Sequence, residues 1–244
     1  MKDVPEIIPY SQEIKEVYFF GAGSITPDRR EIVSNALTTL FPNSFISVES
    51  DLLGAAYATL KNSKGLIATL GTGSDISFYD GQHLFQSHHG IGYVLGDEGS
   101  GAWFGKKLIT SFLYGTMPRD ISKAFGEKYR LTKDVVIRNV YQKERPNSYL
   151  ASFIPFMSEH RAHPYIEKLL TEGFDEFVRT NIMTYPNYWE YTVNFVGRVA
   201  YTFDIQIRQV CQMHGVKVGK ILASPIYDLF DYVIERETSN NFSY

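Results

Sequence analysis

GLIATLGTGSDISFYDGQHLFQSHHGIGYVLGDEGSG, residues 65–101, is the stretch where the pattern of the chain changes and the fold is decided. Its first six residues form a continuous apolar run, as expected of a strand buried on both faces. The run closes on Gly71-Thr72-Gly73-Ser74. Two further strands are predicted at residues 76–79 and 84–87, joined at Asp80-Gly81, a hairpin signal. Upstream the pattern is different. Residues 17–21 (VYFFG) read as a buried strand. Thr26-Pro27 then opens a helix, with Thr26 as N-cap and Pro27 in the first turn. The apolar face of that helix is predicted to be Ile32, Val33, Ala36, Leu37 and Leu40, and Pro42-Asn43 stops it. A strand at 45–49 and a helix at 51–61, rich in small residues, complete this part. Strand–helix units therefore give way to hairpins near Ser63-Lys64, and a lobe boundary is placed there. Downstream, helices are predicted at residues 102–113, 120–129, 133–141, 149–160 and 165–183. A strand at 191–196, a helix at 199–213, a strand at 216–222 and a helix at 226–236 follow, with a frayed tail from residue 239. The result is an α/β protein of two lobes, and ligands in such folds bind at the carboxyl ends of strands.

Bulk composition narrows the partners. The 24 basic and 27 acidic side chains leave a net charge of −3, so no global field favours nucleic acid or an anionic membrane. The 17 Tyr and 17 Phe are scattered rather than interleaved with basic residues, as in an aromatic core. Cys211 is the one cysteine, which excludes an intrachain disulfide framework and fits a reducing, cytoplasmic setting. Neither an apolar leader nor a bilayer-length apolar run is visible.

Three segments carry candidate chemistry. Gly71-Thr72-Gly73-Ser74, followed by Asp75, lets backbone amides and hydroxyls approach an anion, although GTGS alone fits a plain β-turn equally well. Residues 90–101 contain five glycines around Asp97-Glu98. That density exceeds what a helix cap needs, and it would let a polyol reach the Asp97 carboxylate. Ser50-Asp51 stands at a strand-to-helix junction. Taken alone it reads as a helix N-cap, and in a phosphoryl-transfer site an Asp there would accept the substrate hydroxyl proton. His88-His89 is a poor chelating pair, because adjacent strand residues face opposite ways, so no metal site is expected.

Taken in order, VYFFGAG, ESDLLGAAYA, ATLGTGSDISFYDG, GYVLGDEGSGAWFGK, VNFVGRVAY and ILASP make the chain resemble the BadF/BadG/BcrA/BcrD ATPase family, which includes N-acetylglucosamine kinases. The resemblance implies a two-lobed actin-like ATPase fold of the ribonuclease H type. It implies a partial first lobe at residues 1–63, with helix 225–236 packing back on it, and a second lobe at 64–224 with a helical insertion. Asp51 matches the family's catalytic Asp. Thr72, flanked by Gly71 and Gly73, matches the second phosphate loop. Ser74 and Asp75 match a Ser-Asn pair at the sugar, and Gly90, Ile91, Gly92 and Asp97 match sugar-contacting positions. Gly197 matches the glycine beside the nucleotide. The implied substrates are ATP and an amino sugar, with Mg²⁺ from solvent rather than a protein cage. A homodimer is the expected assembly.

Four positions depart from the family pattern. The usual first phosphate hairpin, of Asp-x-Gly-x-T type, has no match before Tyr18. Asp75 replaces Asn, Arg198 replaces a small residue, and Asp228 stands where a Gly is usual. Three activities are therefore weighed. The first is N-acetylglucosamine 6-phosphorylation with Asp51 as base. The second is sugar binding without phosphoryl transfer, with little turnover and self-association through the strand at 17–21. The third, activation of a radical dehydratase, needs a cysteine-bound iron–sulfur cluster that one Cys211 per chain does not supply.

Overall fold

The computed structural model describes residues 5–24, 26–85 and 89–241. The last two residues of the strand predicted at 84–87, His88 of the histidine pair and the end of the tail lie outside the described residues. The first lobe is built from β1 (Glu16–Gly21), α1 (Pro27–Leu40), β2 (Phe45–Ser50) and α2 (Asp51–Thr59). β1 and β2 are parallel and in register from Glu16↔Phe45 to Gly21↔Ser50, so both strands end level, beside Asp51. Among the described residues no strand pairs with the other edge of β1.

The second lobe opens with β3 (Gly65–Leu70), β4 (Ser74–Tyr79) and β5 (Leu84–Phe85), an antiparallel meander. Helices α3 (Gly101–Leu113), α4 (Arg119–Tyr129), α5 (Lys133–Tyr141), α6 (Pro146–Ala151), α7 (Ile154–Glu159) and α8 (Pro164–Phe177) follow. The chain returns through β6 (Thr192–Val196), α9 (Arg198–Thr202), α10 (Asp204–Met213) and β7 (Lys217–Leu222), and ends in α11 (Ile226–Asn241). The sheet order is β5-β4-β3-β6-β7, with β6 parallel to both β3 and β7.

Strand β3 explains the joining of the lobes. Leu66, Ala68 and Leu70 point into the large core with Phe104 and Leu108 of α3 and Phe174 of α8. Ile67 points the other way, onto Leu52, Ala55 and Ala56 of α2. Burial on both faces is what its unbroken apolar run requires. The opposite side of α2 carries Ala58 against Leu229 and Val233 of α11 and Tyr18 and Phe20 of β1. Small residues let α2 be sandwiched so closely: a Cβ on Gly54 would come within 3.0 Å of the Phe20 ring. Lys61 Nζ, just past the end of α2, pairs with Glu235 of α11 at 2.7 Å, an exposed ion pair worth at most about 1 kcal/mol.

Several elements differ from the sequence reading. Helix α1 forms where predicted, but it buries none of its residues, and Ile32 is 70% exposed. Thr26 sits at its N-cap in extended conformation without a side-chain cap bond. The helix predicted at 149–160 is two short helices, with Pro155 in the first turn of the second. The helix predicted at 199–213 breaks at fully buried Phe203, whose backbone leaves the helical region. The helix predicted at 165–183 ends as α8 and continues in a π-helical turn, Val178–Ile182. Among the described residues no helix is long and apolar enough to cross a membrane.

Candidate functional site

The Ser50-Asp51 step divides two jobs between neighbours. Ser50 Oγ accepts the Leu53 amide at 3.2 Å and caps α2. Asp51 is thereby free of capping, and its Oδ1 accepts the amide of Leu52 at 3.0 Å. Burial pushes the Asp51 carboxyl above its ordinary value, against the opposing pull of that amide. Asp51 lines a groove of about 740 Å³ with Tyr18 and Phe20 of β1 and Ile226 and Phe230 of α11. Ser50, one residue earlier, lines a separate cavity of about 540 Å³ between the lobes, together with Asp75, Gly90, His89 and the Arg30–Glu49 ion pair.

The phosphate-loop candidate is shorter than its motif, because Ser74 and Asp75 already belong to β4. Gly71 N–H donates to Gly73 O at 3.0 Å, closing the turn. The carbonyls of Gly71 and Thr72 accept the amides of Gly101 and Ala102, at 2.8 and 3.0 Å, so the first turn of α3 pins the loop. The amides of Thr72 and Gly73 have no partner among the described residues. Gly71 and Thr72 line a cavity of about 520 Å³ with Ser152, Pro155, Arg198 and Thr202. Gly197 lies next to Arg198 and packs on the end of β3: φ is +131°, and a Cβ there would lie 2.2 Å from Leu70 O. Only glycine adopts this backbone so close to another chain segment.

The glycine-rich segment wraps the other side of β4. Gly90, Gly92, Asp97 and Gly99 all have positive φ. Asp97 at +59° is the unusual one, since non-glycine residues rarely sit there. Its carboxylate rests on Gly73 and accepts the Ser74 amide. Burial raises its pKa first, with the charges of Glu98 and Asp75 adding to the effect. Asp75 lies against Gly90, where an added Cβ would meet its Cγ at 2.6 Å, and its Oδ1 accepts the Ile76 amide. The Ser74 hydroxyl is turned onto Glu98 O at 2.9 Å, tying β4 to the turn that holds Asp97. Ile91 is largely exposed and packs its stem over Gly96, while Gly92 faces open space.

Gly73, Ser74 and Asp75 thus touch Asp97, Glu98 and Gly90, and Gly197 packs on Leu70 and Gly71, whereas Asp51, one residue from Ser50, lines the other groove with β1 and α11. Arg30, Glu49, His89 and Arg198 also line these cavities; Glu49 and Arg198 lie inside the quoted motifs, but the sequence assigns none of the four a site role. Their placement comes from α1, β2, the entry to the glycine-rich segment and α9, which only the tertiary fold brings together. The groups at the Gly71–Thr72 cavity suit an anion: the Thr72 amide and hydroxyl and the Arg198 guanidinium, with open space at Gly71. Among the described residues no group of His, Cys, Asp or Glu side chains is gathered to hold a metal ion.

No family model and no curated protein sequence matches the chain. Solved structures do. A proposed N-acetylglucosamine kinase from Porphyromonas gingivalis is 37% identical, with a TM-score of 0.88 over 94% of this chain and 81% of its own. A proposed N-acetylglucosamine kinase from Chromobacterium violaceum, at 19% identity and a TM-score of 0.57, covers 77% of this chain and 66% of its own, and shares the fold. With an actin-like two-lobed fold and this extent of identity, the chain belongs to the sugar-kinase-like family of the Porphyromonas gingivalis protein.

Proposed function

We propose that the chain is an ATP-dependent sugar kinase acting on the 6-hydroxyl of N-acetylglucosamine or a similar hexosamine. The observation that carries this reading is the near full-length similarity to the Porphyromonas gingivalis protein, whose name gives that sugar. The site chemistry supports it. The sugar lies in the cavity of Asp75, Gly90 and Ser50, where Asp75 offers acceptors to its hydroxyls, and Asp97, held against Gly73 and the Ser74 amide next to Asp75, is the second acceptor of this reading. Carboxylates buried among glycines discriminate polyols strongly, because an unmatched acceptor there stays desolvated. The nucleotide occupies the cavity of Gly71, Thr72 and Arg198. ATP supplies the phosphoryl group when bound, with Mg²⁺ from solvent. Thr72 and the amides of the loop hold and orient phosphate oxygens, and Asp51 takes the proton from the sugar hydroxyl. The elevated pKa of Asp51 suits a base that must accept a proton near neutral pH.

A second reading, sugar binding without transfer, is favoured by one feature. Beside Asp51 the edge of β1 carries no strand and opens on the 740 Å³ groove, so among the described residues the phosphates are gripped from the second lobe alone. Coupled ADP release with N-acetylglucosamine separates the two. Sugar-dependent turnover, abolished in Asp51→Ala, supports the kinase; saturable sugar binding without turnover supports the second reading.

A further inference from the structure

The glycine-rich segment that carries Asp97 is held at both ends by one distant stretch of chain, residues 178–185. At one end Asn181, 3% exposed within the π-helical turn, donates from Nδ2 to Glu98 Oε2 at 3.3 Å. Glu98 is the neighbour of Asp97, and its carbonyl already accepts the Ser74 hydroxyl. The turn also rests on α8, since a Cβ on Gly99 would lie 3.2 Å from Gly173 O and from Phe177 Cβ. At the other end Thr184 Oγ1 lies 3.0 Å from His89 Nε2, next to Gly90. The direction of that bond follows from proton counting. The single hydroxyl proton of Thr184 goes to Asn181 O at 2.8 Å, so His89 Nε2 carries the proton and donates. Tyr185 completes the grip: its ring lies beside His89, 5.7 Å between centroids, and its hydroxyl donates to Ile76 O on β4.

This arrangement has a physical reason. A segment with three positive-φ glycines and a left-handed Asp97 is entropically costly to order. Asn181 lies within the π turn, a form enriched at functional sites, and Thr184 follows two residues after its end.

We infer that Asn181 and Thr184 are positioning residues that hold the glycine-rich segment at Glu98 and His89 and so fix the Asp97 and Asp75 carboxylates that face the sugar. The inference rests on the proposed sugar site for its functional half and on geometry alone for its structural half. The two halves are separable by experiment.

Amide hydrogen exchange of wild type, Asn181→Ala, Thr184→Val and Thr184→Ser tests the clamp without any ligand. Exchange between His89 and Gly101 should quicken about tenfold or more in Asn181→Ala and Thr184→Val, and Thr184→Ser, which keeps the hydroxyl, should restore protection. Strand β3 should stay protected throughout. Unchanged exchange in the loop overturns the clamp; faster exchange in β3 as well reduces both residues to general structural roles and also overturns it. Titration of N-acetylglucosamine and ADP tests positioning. Sugar affinity should fall roughly three- to tenfold in both loosened variants, with ADP affinity unchanged. A loosened loop with unaltered sugar affinity removes the positioning role. Wild type that binds ADP but no sugar counts against the sugar assignment, while the exchange result still decides the clamp.

Discussion

The carboxylate of Asp97 occupies the space that a side chain on Gly73 would need: a Cβ built there lies 2.7 Å from Asp97 Oδ2. Two motifs 24 residues apart are thereby reduced to one contact, and the contact makes a test. Gly73→Ala pushes against the end of a short side chain rather than against backbone, so the cost falls on the position of the carboxylate. Melting temperature should change little, while affinity for N-acetylglucosamine should drop about tenfold or more. Calorimetry on the folded variant checks this, and undiminished binding would detach Asp97 from the sugar.

Asp51 links function to stability through pH. Its folded pKa is raised by burial above the ordinary value of 3.8. A raised carboxyl favours folding most below that ordinary value, and the contribution is lost as pH rises through the folded value. At neutral pH the buried charge is therefore a cost, which Asp51→Asn removes. The variant should melt above wild type at pH 7, by roughly 2–4 °C for each kcal/mol relieved, and the gap should close as pH falls toward 4. ADP release should meanwhile fall on the order of 10²-fold or more. A variant that melts higher and turns over normally would remove Asp51 as the base.

Arg198 should act on the nucleotide and not on the sugar. It shares its cavity with Thr72 and stands at the first residue of α9, next to the close approach at Gly197. Arg198→Ala should weaken ADP roughly threefold to tenfold, with adenosine and N-acetylglucosamine unaffected, since a guanidinium recognises phosphate oxygens. Equal losses for ADP and adenosine would place Arg198 at the base instead.

Much of this was readable in the chain. The run GLIATL announced a strand buried on both faces, and Leu66 and Ile67 lie on opposite cores. The small residues of α2 announced close packing. Other features depend on what lies across from a residue, which periodicity does not encode. Ile32, Val33 and Leu37 have helical spacing, yet α1 is left without a buried face. Phe203 splits a predicted helix because its ring belongs to the core more than its backbone belongs to a helix. The glycine-rich segment drew attention by composition. Asn181 and Thr184, which grip it, did not, because their partners are 83 and 95 residues away and the π turn that holds Asn181 has no sequence signature.

The most direct test of the account is calorimetric titration of N-acetylglucosamine into wild type and Asp97→Asn. Asparagine keeps the size of the side chain and tolerates the left-handed backbone at +59°, so the loop survives while the charge is removed. The account predicts saturable binding of one sugar per chain, weakened about tenfold or more in the variant. Absence of binding in wild type, or equal affinity in both proteins, would contradict it.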